Sequence, residues 1–375
     1  MTLFSSSRFL VSLATAGVLG TLPAVATGSL ASPSSGGART QASAPTTSAA
    51  VGTSAATPAV APAVVAALPR AWAHRGHSGA LRALVADPGS ALDEALELSE
   101  AQRAALAYRW QARGGAAVPS AKATGAQSAQ APSAHAPSAH ALREGLRAPA
   151  RPGVYSLQLG EAAGAEGLQL IAPVAHDGKS AHLNGYHVGR YPADAAQRMG
   201  ERYTPPSRFI EVTRENQDTF VSEHFQLRQF LTKDQRDVWP KYLVLDLALV
   251  DKLELVVQEL QKDGFAKRGL HVMSGFRTPQ YNGPGGNGRA KYSRHTYGDA
   301  ADVWVDDDRD GRMDDLDRNG RVDQKDAEVL AAAVDRVEQR VPALVGGHGT
   351  YKANSAHGPF VHVDVRGSAA RWAKR

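Results

Sequence analysis

The sequence predicts an α+β fold: a small, mostly antiparallel sheet with helices packed on it, preceded by a small β module and a disordered N-terminal region. Three observations carry that prediction. Leu243–Leu260 and Ala327–Val341 place apolar side chains at helical spacing, the first with Gly264 just past its end and the second stopped by Pro342. Leu270–Met273, Ala300–Val305 and Phe360–Val365 are short apolar runs bounded by turn residues and read as strands. Residues 27–66, by contrast, hold 33 Ala, Pro, Ser, Thr or Gly among 40, too little large apolar surface to offset the entropy of ordering them.

Along the chain, Arg8, the apolar stretch Phe9–Leu22 and then Ala24-Val25-Ala26 follow the order of a secretory signal peptide over residues 1–26, with Thr27 as the mature start. That stretch is shorter and more interrupted than the roughly 20 apolar residues a spanning helix needs. The expectation is an exported protein of the periplasm, cell envelope or extracellular space, not inserted in a membrane after cleavage. Residues 27–66 read as a tether. Residues 67–113 read as a helical segment, from the spacing of Leu92, Leu96, Leu98, Ala101, Ala104 and Leu106. Residues 114–150, with APSAH twice over 131–140, read as a low-complexity linker. Val154–Leu159, Leu168–Val174, Gly185–Tyr191 and Phe209–Val212 read as the strands of a β module over 151–215, whose His176, His182 and His187 have no ligand spacing. Residues 216–375 remain for the main domain.

Composition narrows the chemistry. With no cysteine, disulfides, thiolate catalysis and Cys-based metal sites are excluded, so any metal must rest on His and carboxylates. The net charge of +5, from 42 Lys and Arg against 37 Asp and Glu, comes without a basic block, and no nucleic-acid partner is expected. A monomer is expected.

Two motifs supply His and Asp together. In Ser293–Asp302, a His and an Asp stand seven apart across a glycine turn that enters a strand. In Phe360–Arg366, strict alternation puts His362 and Asp364 on one strand face and valines on the other. If the two strands are neighbours, His295, Asp302 and His362 converge as two nitrogens and one oxygen, the set that leaves a position of Zn²⁺ open.

SGFRTPQYN at 274–282, SRHTYGDAAD at 293–302 and FVHVDVRG at 360–367, preceded by SEHF at 222–225, together resemble the zinc D-Ala-D-Ala carboxypeptidases and endopeptidases of the M15 family over about residues 220–375. The resemblance implies a hedgehog/DD-peptidase-like fold, zinc held by His295, Asp302 and His362, Arg277 facing the substrate, and peptidoglycan stem peptides as substrate. The chain departs from that pattern at position 359. There the family carries an acidic base three residues before the last zinc-binding His, and this chain has Pro. Asp364 is the expected replacement base, with a carboxylate that orients a ligand or pairs with Arg366 as the alternative reading, and His357 is a second proton-handling group. The alternative to an enzyme is a non-catalytic, metal-containing wall-binding module.

Between the two motifs, Asp306, Asp308, Asp310, Gly311, Arg312, Asp314 and Asp317 occupy positions 1, 3, 5, 6, 7, 9 and 12 of an EF-hand-type loop. Asp315, Asp317, Asn319, Gly320, Arg321, Asp323 and Asp326 repeat the spacing. Calcium over 306–326 is expected, as one site or a linked pair, in a structural role.

Overall fold

The computed structural model describes residues 75–92, 107–114, 140–141, 146–159, 168–285 and 289–374. The residues expected to be signal peptide and tether, and most of those expected to be linker, lie outside the described residues. Among the described residues, fifteen strands fall into four sheets.

The first sheet contains β1 (Ala83–Val85), β2 (Ala107–Ala112), β3 (His140–Ala141), β4 (Gly153–Leu159) and β5 (Gln169–Ala172) in the order β1-β5-β4-β2-β3. Here the expectations for 67–113 and 114–150 need correction. The described parts of both segments are strand and loop, while residues 93–106, which carry much of the helical pattern, lie outside the description. The physical reason is a small second core. Leu84, Leu92, Tyr108, Leu146, Leu157 and Leu170 bury one another, so leucines on both sides of the low-complexity stretch become strand positions or flank the Ala91–Arg147 bridge.

β6 (Val174–Ala175), β9 (Arg208–Val212) and β10 (Lys241–Leu243) make a second sheet, and β7 (His182–Leu183) with β8 (Tyr186–His187) a hairpin. Because β9 pairs with β10, with Ile210 opposite Leu243, the expected boundary at 215/216 is not a break between units. One apolar core runs from Val154, Ile171 and Phe209 through to Val361.

That core rests on two helices. In α1 (Leu247–Lys262), Leu249, Val250, Leu253, Val256, Val257 and Leu260 are fully buried, each worth roughly 1.5–3 kcal/mol. The helix begins later than the sequence predicts, since Leu243 ends β10 and Asp246 caps the helix by accepting from the Ala248 N–H at 2.9 Å. In α2 (Gln324–Arg340), Leu330, Val334 and Val337 are fully buried, and the start is fixed by a capping box between Asp323 and Asp326.

The last sheet, β11 (Leu270–Ser274), β12 (Ala300–Val305), β13 (Gly347–Tyr351), β14 (Phe360–Asp364) and β15 (Ala370–Lys374), has the order β11-β12-β14-β13-β15. Every pairing is antiparallel except β13 with β15. α2 packs on β13 and β14 and against α1. β12 and β14 are neighbours, with Asp302 directly opposite His362. Helices on a mostly antiparallel sheet are the α+β arrangement that the apolar spacing predicts.

Candidate metal centre

His295 sits in a short 3₁₀ turn, Arg294–Tyr297, closed by Gly298 at φ 74°. A Cβ at 298 would lie 2.3 Å from the Val244 carbonyl oxygen, so this turn into β12 requires glycine. The turn is held by buried Arg294, whose guanidinium pairs with Asp299. Four residues beyond Gly298, Asp302 projects from β12 toward His362 on β14.

The three side chains meet. His295 Nε2 lies 3.2 Å from Asp302 Oδ1 and 3.1 Å from His362 Nδ1, and His362 Nδ1 lies 3.0 Å from Asp302 Oδ1. All three residues are buried. The outer ring atoms determine what the inner ones offer. His295 Nδ1 is 2.7 Å from the Gly275 carbonyl, which only accepts, so its proton is there and Nε2 presents a lone pair. His362 Nε2 is 3.1 Å from Asp364 Oδ2, which fixes the same assignment in reverse and leaves Nδ1 facing inward.

Three acceptors therefore face one another at hydrogen-bond distance. Burial holds His295 below its ordinary pKa. Burial works against charge on His362 too, but Asp302 and Asp364 outweigh it and raise its pKa, so the point between the rings favours positive charge. Burial also opposes ionisation of Asp302, yet His295 and His362 hold its carboxyl well below the usual range. A divalent cation about 2.0–2.1 Å from each donor would place tetrahedral donors roughly 3.3 Å apart, close to the spacing found. The donor set fits zinc.

Arg277 follows β11 and braces this group from outside. Its backbone N–H donates to the His295 carbonyl at 3.1 Å, its Nε to Ser274 Oγ at 2.9 Å, and its Nη2 to the outer oxygen of Asp302. The group opens onto a cleft of about 700 Å³, also lined by Arg277, His357, Tyr351 and Trp372. Arg289, Lys291 and Lys352 line it further out, and Asp302 is its one carboxylate among the described residues.

Asp364 is not in the cleft, which corrects its expected role as base. It is fully buried behind His362, with Oδ1 accepting from the Gly347 N–H at 2.7 Å and from Arg366 Nε at 2.9 Å. Its oxygens are occupied on the side away from the metal donors. Burial opposes its charge, but His362 and Arg366 depress its pKa strongly, so it is a fixed anion that orients a ligand. His357 does line the cleft, half-buried, with Nδ1 2.8 Å from the Gly358 carbonyl and Nε2 2.9 Å from the Asn354 amide nitrogen. Pro359 is buried beside it and offers no proton-accepting group.

Residues 231–331 match the family model for peptidase M15. This segment carries Arg277, His295 and Asp302, while the third donor, His362, lies beyond it on the strand that the M15-like segment pairs with. No curated protein and no solved structure matches the chain.

Several features of the M15-like site had no signal in the sequence. Trp372 sets its ring 5.3 Å from that of His362 and donates Nε1 to the Tyr351 hydroxyl at 3.0 Å. Lys252, fully buried, donates to Glu338 at 2.6 Å and to the Asp364 carbonyl at 2.7 Å, tying α1 and α2 to the end of β14. His176, His182 and His187 join no metal group: the rings of the last two stack at 4.5 Å, and His176 accepts from the Gly178 N–H at 3.0 Å. In the acidic stretch, Asp306, Asp308 and Asp314 converge, and so do Asp315, Asp317 and Asp326. Asp310 lies outside the first group, and Asn319 donates its amide to Asp317 at 2.7 Å.

Proposed function

We propose that this protein is an exported zinc metallopeptidase that hydrolyses D-amino-acid peptide bonds in peptidoglycan stem peptides, as a D-Ala-D-Ala carboxypeptidase or endopeptidase. The observation that carries the reading is the buried face of three acceptors, His295 Nε2, Asp302 Oδ1 and His362 Nδ1, at a cleft beside Arg277. These atoms would hold zinc, which when bound supplies a Lewis acid for the scissile carbonyl and acidifies water.

The remaining tasks fall to the chain. Arg277, fixed by Ser274 and Asp302, directs its guanidinium at the carbonyl oxygen and offsets the charge that develops there as the amide is attacked. His357 Nε2, whose ring proton is committed through Nδ1 to Gly358, gives up the hydrogen bond it accepts from the Asn354 amide, takes the proton of the attacking water and returns it to the leaving amine. Asp364 keeps His362 in the ligating tautomer. Arg289, Lys291 and Lys352 make the outer cleft positive, which suits stem peptides bearing free carboxylates. The signal-like order at Arg8–Ala26 supports delivery to the wall.

The test is digestion of purified muropeptides by the zinc-loaded protein and by His357→Ala, read by mass spectrometry. Loss of a terminal D-Ala or of a crosslink, slowed at least a hundredfold in the variant, is the expected result. No product from wild type on any stem peptide moves the reading to a wall-binding module.

A further inference from the structure

The acidic stretch between β12 and α2 takes no part in the proposed reaction. It contains two groups of converging carboxylates, each with one oxygen per residue within 4.8 Å of the others. The protein treats the two groups differently. In the second, Asp326 is fully buried and its oxygens are satisfied: Oδ1 accepts from the N–H groups of Leu316 and Asp317 at 2.7 and 3.2 Å, and Oδ2 from that of Asp323 at 2.7 Å. The last bond belongs to the capping box that starts α2, where the helix terminus itself favours negative charge.

Asp306, the first residue after β12, lacks such compensation. Its side chain is 8% exposed, and Oδ1 is buried with no hydrogen-bond partner among the described residues. Oδ2 accepts one bond, from the Gly311 N–H at 3.2 Å. His271 Nδ1 stands 3.9 Å from Oδ2, beyond hydrogen-bond reach. Among the described residues, no Lys or Arg forms an ion pair with Asp306, Asp308 or Asp314. Asp314 accepts one bond, at Oδ2 from the Asp307 N–H at 2.9 Å. A buried carboxylate oxygen with neither donor nor cation, on a residue grouped with other carboxylates, is costly to keep.

We propose that Asp306, Asp308 and Asp314 bind one calcium ion, distinct from the His295–Asp302–His362 centre. An all-oxygen donor set on alternating residues of a loop suits Ca²⁺, which takes 6–8 oxygens in flexible geometry, better than Mg²⁺, which demands a rigid octahedron. The ion would give Asp306 Oδ1 the partner it lacks. It would also anchor the end of β12 to the acidic loop, four residues from Asp302. The second group, with its buried carboxylate already satisfied, is not a separate site.

The experiment titrates zinc-saturated, calcium-stripped full chain with calcium chloride by calorimetry and follows Tm. One ion per chain and a higher Tm are expected, with magnesium producing neither at equal concentration. Asp308→Asn, at an exposed position where folding is undisturbed, weakens calcium binding at least tenfold, and Asp315→Asn leaves it within twofold. Absence of saturable heat and of any Tm change in wild type overturns the proposal. So does binding lost in Asp315→Asn but kept in Asp308→Asn, a stoichiometry of two, or equal binding of magnesium.

Discussion

Replacing Asp364 by Asn separates two roles that a carboxylate beside a metal centre can play. The change keeps the shape of a fully buried side chain that accepts from His362, Arg366 and Gly347. An amide has one accepting end. Turned toward Arg366, it faces His362 Nε2 with an NH₂ group, and the ring must move its proton to Nδ1, the atom that faces Asp302. Turned the other way, it leaves Arg366 against a donor. One charge-assisted bond lost is worth about 1.5–3 kcal/mol, or roughly 10- to 150-fold in zinc Kd, in line with the effect of removing an orienting partner behind a ligating histidine. Competition with a chromophoric chelator at pH 7, with circular dichroism to confirm folding, measures it. A variant that binds zinc like wild type but has lost kcat would put Asp364 back among the groups that move protons and refute the orienting role.

Three further outcomes follow from the same geometry. Arg277→Lys keeps a charge but loses the planar fork that reaches Ser274 and Asp302 together, so kcat should fall by about 10²–10³ with KM little changed in steady-state assays. Glu259 is pushed down to about 2 by the hydrogen bond from Lys262 and by Arg340 and Arg336, against the opposing effect of burial. A depressed carboxyl stabilises the fold fully above its unfolded value of about 4.3 and loses that contribution as pH falls toward 2. In Glu259→Gln, melting curves should therefore lie below wild type at pH 6 and converge with it near pH 2. Gly349→Ala puts a Cβ 2.1 Å from Trp372 Nε1 and should cost about 1–3 kcal/mol in urea unfolding; an unchanged midpoint would mean that β15 shifts freely.

The two helices and the strands β11, β12 and β14 were legible because burial imposes a period. Leu249 to Leu260 mark a helical stripe, and the valines of Phe360–Val365 mark one face of a strand. The same alternation correctly put His362 and Asp364 on one side. It could not tell that Gly347 closes on Asp364 from behind, because that contact is set by the neighbouring strand and not by spacing. β13 was illegible for a related reason. Gly347, His348 and Gly349 look like loop, but Gly349 is small because Trp372 of β15 occupies the place of its side chain. In the N-terminal sheet, strands as short as Ala83–Val85 gain their order from partners far along the chain, which no local pattern reports.

The pairing of Asp302 with His362 also makes the metal centre a gauge of strand alignment. A slip of one residue between β12 and β14 would turn His362 to the opposite face and bring Val361 or Val363 beside Asp302. Only the aligned sheet would bring the three candidate donors together, so any metal they bind would reward correct alignment during folding. The long excursion between the two strands can therefore lengthen without disturbing this pairing, whereas one residue inserted within either strand would break it.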